Sequence, residues 1–224
     1  MNKFLKLALA GAAAASTVAV VPTIADAGGG PPLRTYQITV ENLAPAGSQP
    51  LSPVGTVVHH KQADVWTLGQ PASAAVAAVA EDAGLPIFVD TYNQTPGVRE
   101  ALASPGGPIG PGASVNFEIE ARPGDRLSLV SMLVNTNDAF TGLDAIGLPG
   151  GTQVYEVGAY DAGTEVNNEN PAFIPGPVGG NPGVRDPEGN VITEHAGIVG
   201  VPGGIDPALY DWDDPVARIT IERT

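Results

Sequence analysis

Two acidic segments of the chain carry the side chains best suited to chemistry. The first, NTNDAFTGLDAIGL at 135–148, places Asp138 and Asp144 six residues apart. The second segment begins AYDAGTEVN at residue 159 and offers four oxygen-bearing side chains: Asp161, Thr164, Glu165 and Asn167. Each segment follows a predicted strand, and strands that end on the same side of a β-structure can hold such loops side by side. We therefore expect the two segments to form one site.

Oxygen ligands of this kind suit a hard divalent cation. Ca²⁺ takes about six to eight oxygens from carboxylates, amides, backbone carbonyls and water. Several carboxylates brought together without a cation would raise the pKa of at least one of them through like-charge repulsion, and a bound cation removes that penalty. The spacing does not match an EF-hand loop, which needs glycine at the sixth position and a final glutamate. On these residues alone, solvated loop carboxylates are the favoured interpretation and a calcium site is the alternative.

Catalysis is the other chemistry that paired carboxylates can perform. Two carboxyl groups about 5 to 9.5 Å apart can hydrolyse glycosides. The chain has only 5 Phe, 5 Tyr and 2 Trp to line a sugar cleft. It also lacks the Gly-x-Ser-x-Gly and His-Glu-x-x-His motifs. We expect a non-catalytic protein, with a secreted carboxylate-dependent hydrolase as the alternative and a purely structural envelope protein as a third possibility.

Two smaller clusters point less clearly to a site. His59 and His60 are adjacent on a predicted strand, where successive side chains point to opposite faces, so they do not favour a shared zinc ion. The acidic cluster before the last strand fits either a second, weak cation site or a solvated turn. Its members are Asp211, Asp213 and Asp214.

The N-terminal sequence has the features of a secretory signal peptide. Lys3 and Lys6 precede an uncharged run at 7–21, and Ala25-Asp26-Ala27 has the small-x-small form of a cleavage site. The run of roughly 15 residues is short for a membrane-spanning helix, which needs about 20. We predict a secreted or periplasmic protein with no membrane span. The predicted organisation is a signal peptide at 1–27, a flexible leader at 28–34 and one domain at 35–224.

Charge and cysteine content limit the classes of partner. Removing Lys3, Lys6 and Asp26 with the signal peptide leaves 8 basic and 23 acidic residues, a net charge of −15. A surface of this charge repels nucleic acids and anionic lipid headgroups, and it suits cations or basic partners. The chain has no cysteine, so neither disulfides nor thiolates contribute to an exported domain.

Short alternating segments separated by turns predict an all-β fold. In TYQITVENL, the apolar residues Tyr36, Ile38 and Val40 alternate with polar ones, as in a half-buried strand. We predict one antiparallel β-sandwich with one or two short helices in its connections, at 71–84 and, for one or two turns, at 97–104. The further predicted strands are at 52–60, 114–121, 126–134, 152–160 and 215–223.

Four motifs in one order resemble the spondin domain of secreted proteins. They are the stretch from HHKQADVW into the alanine-rich helix, the Asp-x-Phe-x-Gly-x-Asp pattern, YDAGTE, and the closing PVARITIER. In two places the chain departs from the animal members of that family. Ala139 stands where they have an aromatic residue, and the cysteines that follow their first acidic loop are missing.

The resemblance implies both a fold and a function. Members of the family have an antiparallel β-sandwich similar to calcium-dependent membrane-binding domains, and the animal members bind calcium in loops at one end. Carried over motif by motif, it implies a secreted calcium-binding recognition or adhesion module whose partner is an extracellular protein or glycan. The implied calcium ligands are Asp138, Asp144, Asp161 and Glu165.

Overall fold

Ten strands in two antiparallel sheets form the framework of the structure, a computed structural model that describes residues 31–224. The predicted signal peptide at 1–27 and residues 28–30 of the leader lie outside this range. In chain order the strands are β1 (Arg34–Asn42), β2 (Gly55–His59), β3 (Val98–Ala103), β4 (Ser114–Ala121), β5 (Arg126–Met132), β6 (Ala139–Gly147), β7 (Thr152–Val157), β8 (Ala159–Asp161), β9 (Thr193–Glu194) and β10 (Ala217–Arg223).

The first sheet has four strands in the order β4-β1-β10-β7. Its central strand β1 alternates as predicted, with Tyr36, Ile38 and Val40 buried on the inner face. Ile38 lies opposite Phe117 on one side and Ile221 on the other, so apolar side chains form rows across the sheet. This face packs into the larger of two apolar clusters, which also receives side chains from the second sheet.

The second sheet has six strands in the order β3-β2-β5-β6-β8-β9. All five residues of β2 are buried, as are all but the first residue of β5, as predicted for a strand covered on both faces. One face packs against the first sheet. The other face is covered by two helices and by Trp66, which form a second apolar cluster around Phe88 and Phe140.

The two covering helices are α1 (Ala74–Asp82) and α2 (Leu85–Asn93), and α3 (Pro207–Tyr210) is a single turn near the C-terminus. The hydroxyl of Ser73 caps α1 by accepting a hydrogen bond from the Val76 backbone N–H at 3.2 Å. The prediction of a helix in 71–84 is therefore confirmed. No helix among residues 31–224 is both long enough and apolar enough to cross a membrane.

The fold class is confirmed as an all-β sandwich with short helices, but three local predictions were wrong. Segment 152–160, predicted as one strand, is divided at Gly158 into β7 of the first sheet and β8 of the second. Segment 97–104, predicted as helical turns, forms β3, where Ala101 pairs with Val57 of β2. Pairing along a sheet edge outweighs the helix propensity of its alanines. Segment 135–148, predicted as an acidic loop, contains the whole of strand β6. Asp144 therefore lies within a strand.

Candidate cation site

The structure brings the two predicted acidic segments together at one end of the second sheet. Asp138 immediately precedes β6, and Asp161 is the last residue of β8. The two strands pair so that Ala139 lies opposite Asp161. The Ala162 backbone N–H donates to the Asp138 carbonyl oxygen at 3.2 Å and extends the ladder past the strand ends. Strand pairing therefore fixes the two aspartates as neighbours.

Asp138 is fully buried, and its two carboxylate oxygens differ in their surroundings. Oδ2 accepts three hydrogen bonds, from the Thr164 backbone N–H at 2.8 Å, the Glu165 backbone N–H at 3.0 Å and the Thr164 hydroxyl at 3.1 Å. Oδ1 is buried and has no hydrogen-bond partner. An acceptor that loses water without gaining a donor costs about 1–3 kcal/mol, and more when it is charged.

Burial and, after it, the negative charge of Asp161 raise the pKa of Asp138 to about 7, although the three hydrogen bonds act to lower it. A carboxyl group with this pKa is only partly ionised at neutral pH. A cation near Oδ1 would favour the ionised form, since it supplies the missing partner and offsets the repulsion by Asp161. The surroundings of Asp138 Oδ1 thus lack the positive charge that would stabilise the ionised carboxylate.

Asp161 is held by the turn that follows it. Its Oδ1 accepts a hydrogen bond from the Gly163 backbone N–H at 2.7 Å, and its Oδ2 accepts one from the Asn167 side-chain amide at 2.5 Å. Gly163 has φ +69°, and a Cβ added there would lie 2.7 Å from the Val191 carbonyl oxygen. The turn therefore needs glycine both for its backbone conformation and for the close approach of residue 191.

Gly163→Ala should destabilise the protein and loosen Asp161. A non-glycine residue at this φ costs about 1–3 kcal/mol, and the contact with the Val191 carbonyl adds to that cost. Urea denaturation of Gly163→Ala and Gly180→Ala provides the measurement, since Gly180 has φ +68° with no atom within 4 Å of an added Cβ. We expect the larger loss for Gly163→Ala. Equal losses would show that the close approach to residue 191 has no energetic effect.

Glu165 points toward an arginine rather than toward the two aspartates. Its side chain is buried, and its Oε1 lies 3.0 Å from Arg185 Nε in an ion pair without hydrogen-bond geometry. Arg185 also pairs with Glu81 and Asp82 at the end of α1. Burial raises the pKa of Glu165 to about 7, although Arg185 acts to lower it. Glu165 reaches Asp138 through its backbone N–H.

Asp144, the other predicted ligand, lies elsewhere on the sheet. Six residues of extended chain span roughly 20 Å, too far for Asp138 and Asp144 to share an ion. The Thr67 hydroxyl donates to Asp144 Oδ2 at 3.4 Å, and Oδ1 is a buried atom without a partner. Burial, followed by the charge of Asp64, raises the pKa of Asp144. The structure therefore separates Asp144 from the other three predicted residues.

A small cavity of about 80 Å³ adjoins the paired loops, and several of its lining residues could not be identified from sequence patterns. Asn137 precedes Asp138, and Asn167 binds Asp161, so two of the lining amides belong to the site. Glu169, with φ +52°, accepts hydrogen bonds from three successive backbone N–H groups at 199–201. Burial lowers the pKa of His195, the only lining imidazole.

Two members of the C-terminal acidic cluster accept hydrogen bonds from the backbone. Asp211 Oδ1 accepts a hydrogen bond from the Ile198 N–H at 2.9 Å, and Asp214 Oδ1 accepts one from the Ala159 N–H at 3.3 Å. Asp213 is exposed. Within residues 31–224, no group of three or more His, Cys, Asp or Glu side chains is placed to hold a metal ion. A cation at Asp138 would therefore need amide, carbonyl and water oxygens as well.

No protein-family model matches this chain, and no curated protein matches it. The resemblance to the spondin domain therefore stays a prediction from the sequence motifs.

Proposed function

We propose that this protein is a secreted, non-catalytic recognition or adhesion module of the spondin type that binds calcium at Asp138 and Asp161. One observation carries the proposal: Asp138 Oδ1 is buried without a partner while a second carboxylate lies beside it. Proteins rarely leave a buried charged oxygen unpaired, and a divalent cation is the partner that also offsets the repulsion between the two acids.

The residues around Asp138 supply oxygens of the type that calcium prefers. Asp138 and Asp161 would provide the carboxylates, and Asn137 and Asn167 carry amide oxygens in the adjoining loops. Backbone carbonyls and water would complete the six to eight ligands that calcium takes. Glu165 would act through its backbone N–H and its ion pair with Arg185, and Asp144 would bind no ion at this site.

The bound cation would stabilise the end of the sheet as a recognition surface. It would connect the residue before β6 with the end of β8 and with the 162–167 turn. Asn137, next to Asp138, and Asn167, at the end of the turn, line the 80 Å³ cavity, so ordering these segments also orders part of its wall. An extracellular protein or glycan would then meet a rigid loop surface, which lowers the entropic cost of binding.

One observation favours a carboxylate-dependent hydrolase as the second candidate. A carboxyl group with its pKa raised to about 7 beside a second aspartate has the arrangement of an acid and its ionised partner. The full burial of Asp138 weighs against this function, because a substrate must contact the acid that protonates it. Turnover of a glycan or ester panel that is lost in Asp161→Asn with the fold intact would favour the hydrolase.

Calorimetric titration with calcium tests the proposal directly. We expect wild type to bind one calcium ion with a dissociation constant of about 0.1–1 mM, the range of extracellular modules. Asp161→Ala should lose the binding heat. Asp213→Ala, which removes the same charge from an exposed residue of the C-terminal cluster, should keep it. Absence of a calcium heat in wild type would leave the structural envelope protein as the better description.

A further inference from the structure

Positive charge is concentrated around one turn of this acidic protein. Of the 8 basic residues in 31–224, five line two adjoining clefts of about 440 and 290 Å³. Both clefts contain the turn at 122–125, and Asp125 is the only acidic residue from the described range that lines either of them. We name the pair of clefts the basic cleft. Its basic residues are Arg34, Lys61, Arg99, Arg122 and Arg126, and His60 lies among them.

The turn that forms the cleft floor has a fixed conformation. It joins β4 to β5 through Arg122-Pro123-Gly124-Asp125, and the Asp125 N–H donates to the Arg122 carbonyl at 3.0 Å. Proline at the second position and glycine with φ +94° at the third are the residues that a type II turn requires. The Asp125 carboxylate folds back to accept a hydrogen bond from the Arg122 N–H at 2.7 Å.

Asp125 orients the basic groups around it. Its side chain is almost fully buried, with Arg99 Nε at 2.5 Å and His60 Nδ1 at 3.2 Å. Burial acts to raise the pKa of Asp125, but the hydrogen bonds from Arg99 and Arg122 together with the charge of Arg99 lower it overall. Arg99 uses two of its five N–H donors on Asp125, which leaves three for a ligand.

The net charge of the cleft indicates a ligand with several negative charges. Arg34, Lys61, Arg99 and Arg126 against Asp125 leave three positive charges among the lining residues, without counting Arg122 and His60. The other 22 acidic residues of 31–224 lie outside the cleft, so a broad anionic surface such as a bilayer or a nucleic-acid duplex would be repelled. A single anionic chain needs to contact only the cleft. Tyr36 is the only Phe, Tyr or Trp among the lining residues, and it is buried and cannot stack on bases.

We propose that the basic cleft binds sulfate or phosphate ester groups of an acidic polysaccharide. The fork of Arg99 and the point charge of Lys61 suit oxyanions, and two clefts that share one turn suit successive charged groups of a chain. Few apolar side chains line the clefts, which disfavours a peptide that needs pockets for its side chains. The site does not depend on calcium, since none of its residues belongs to the cation site.

The experiment measures calorimetric binding of dextran sulfate to the exported chain in the presence of chelator. We expect binding at about 50 mM salt that weakens steeply by about 200 mM, with no binding of uncharged dextran. Lys61→Gln and Arg126→Gln should each weaken binding about fivefold to tenfold at about 0.1 M salt and reduce the slope of log affinity against log salt by about one. Arg218→Gln is the matched control, because Arg218 pairs with Glu41 and Glu156 outside the cleft.

Four results would overturn the proposal. The first is no binding of dextran sulfate at low salt, and the second is an Arg218→Gln variant that binds as weakly as the cleft variants. The third is equal affinity for carboxymethyl-dextran, which would remove the preference for sulfate and phosphate esters. The fourth is cleft-dependent binding to phosphatidylglycerol vesicles without binding to dextran sulfate, which would assign the cleft to a membrane. Failure of the calcium titration would leave this test unaffected.

Discussion

Asp138→Asn should abolish stabilisation by calcium and also raise the melting temperature of the calcium-free protein at about pH 8. Both effects have one cause. In wild type without calcium, Asp138 is a buried carboxylate with its pKa raised to about 7, so it is ionised at this pH at a cost to the folded state. Asparagine has nearly the same shape and no charge. It removes the cost and, with it, the main attraction for the cation.

The expected changes are large enough to measure. A rise in pKa from 3.8 to about 7 corresponds to an ionisation penalty on the order of a few kcal/mol. In a domain of this size, each kcal/mol changes the melting temperature by about 2–4 °C. Calcium at about 100 times its dissociation constant adds about 2.7 kcal/mol to wild type, or about 5–10 °C. The variant should start several degrees higher in chelator and gain nothing from calcium.

Asp144→Asn is the control for this experiment. Like Asp138, Asp144 has a raised pKa and a buried carboxylate oxygen without a hydrogen-bond partner. Unlike Asp138, it lies within β6 beside Thr67. Thermal melts of the three proteins, each in calcium and in chelator, give the answer. Asp144→Asn should keep the full calcium shift. A shift that survives in Asp138→Asn, or disappears in Asp144→Asn, would contradict the placement of the site.

Strands with a strict alternation of apolar residues were predictable from the sequence. Tyr36, Ile38 and Val40 identified β1 and its inner face, and every such segment became a strand. Strand β6 was not predictable, because its sequence AFTGLDAIG has a glycine in the middle and resembles a turn. Gly142 serves a different purpose there, since a Cβ would lie 1.9 Å from the Leu129 carbonyl oxygen of the neighbouring strand. Only the packed sheet reveals this requirement.

The second helix was also missed, because Gly84 and Pro86 resemble the end of α1 rather than the start of α2. Proline in the first turn of a helix is favourable, since its missing N–H would be unbonded there anyway. In the site, the proximity of Asp138 and Asp161 followed from their places at strand ends. The ion pair between Glu165 and Arg185 did not, because Arg185 lies in a glycine- and proline-rich segment without periodicity.

The second large effect is that calcium suppresses the pH dependence of stability that Asp138 creates. Without calcium, Asp138 and Glu165 both have pKa values raised to about 7 in the folded protein, well above their ordinary values of 3.8 and 4.5. A folded state with raised pKa values binds protons more tightly than the unfolded chain does. Stability from these groups is therefore present below the ordinary values and is lost as pH rises through about 7.

Calcium should change the sign of the Asp138 contribution. A bound cation lowers the folded pKa of Asp138 below its unfolded value. The stability that Asp138 contributes is then lost as pH falls and is kept as pH rises. In chelator, the melting temperature should increase from about pH 8 to about pH 5. In saturating calcium the contribution of Asp138 should stay nearly constant over the same range, because it is lost only as pH falls below the unfolded value of 3.8. Calcium binding at pH 7 should also release a fraction of a proton, and affinity should fall up to tenfold per pH unit below about 7.

A general effect of acidification must be separated from this one. The chain has a formal net charge of −14 at pH 7, so lower pH reduces repulsion among all its carboxylates and stabilises the folded state without any special site. Asp138→Asn retains that general effect and lacks the specific one. The difference between wild type and Asp138→Asn in chelator should therefore grow from about pH 4 to about pH 7 and level off above that pH. Parallel pH profiles for the two proteins would mean that Asp138 ionises in the folded state as it does in an unfolded chain, and that the partnerless oxygen creates no demand for a cation.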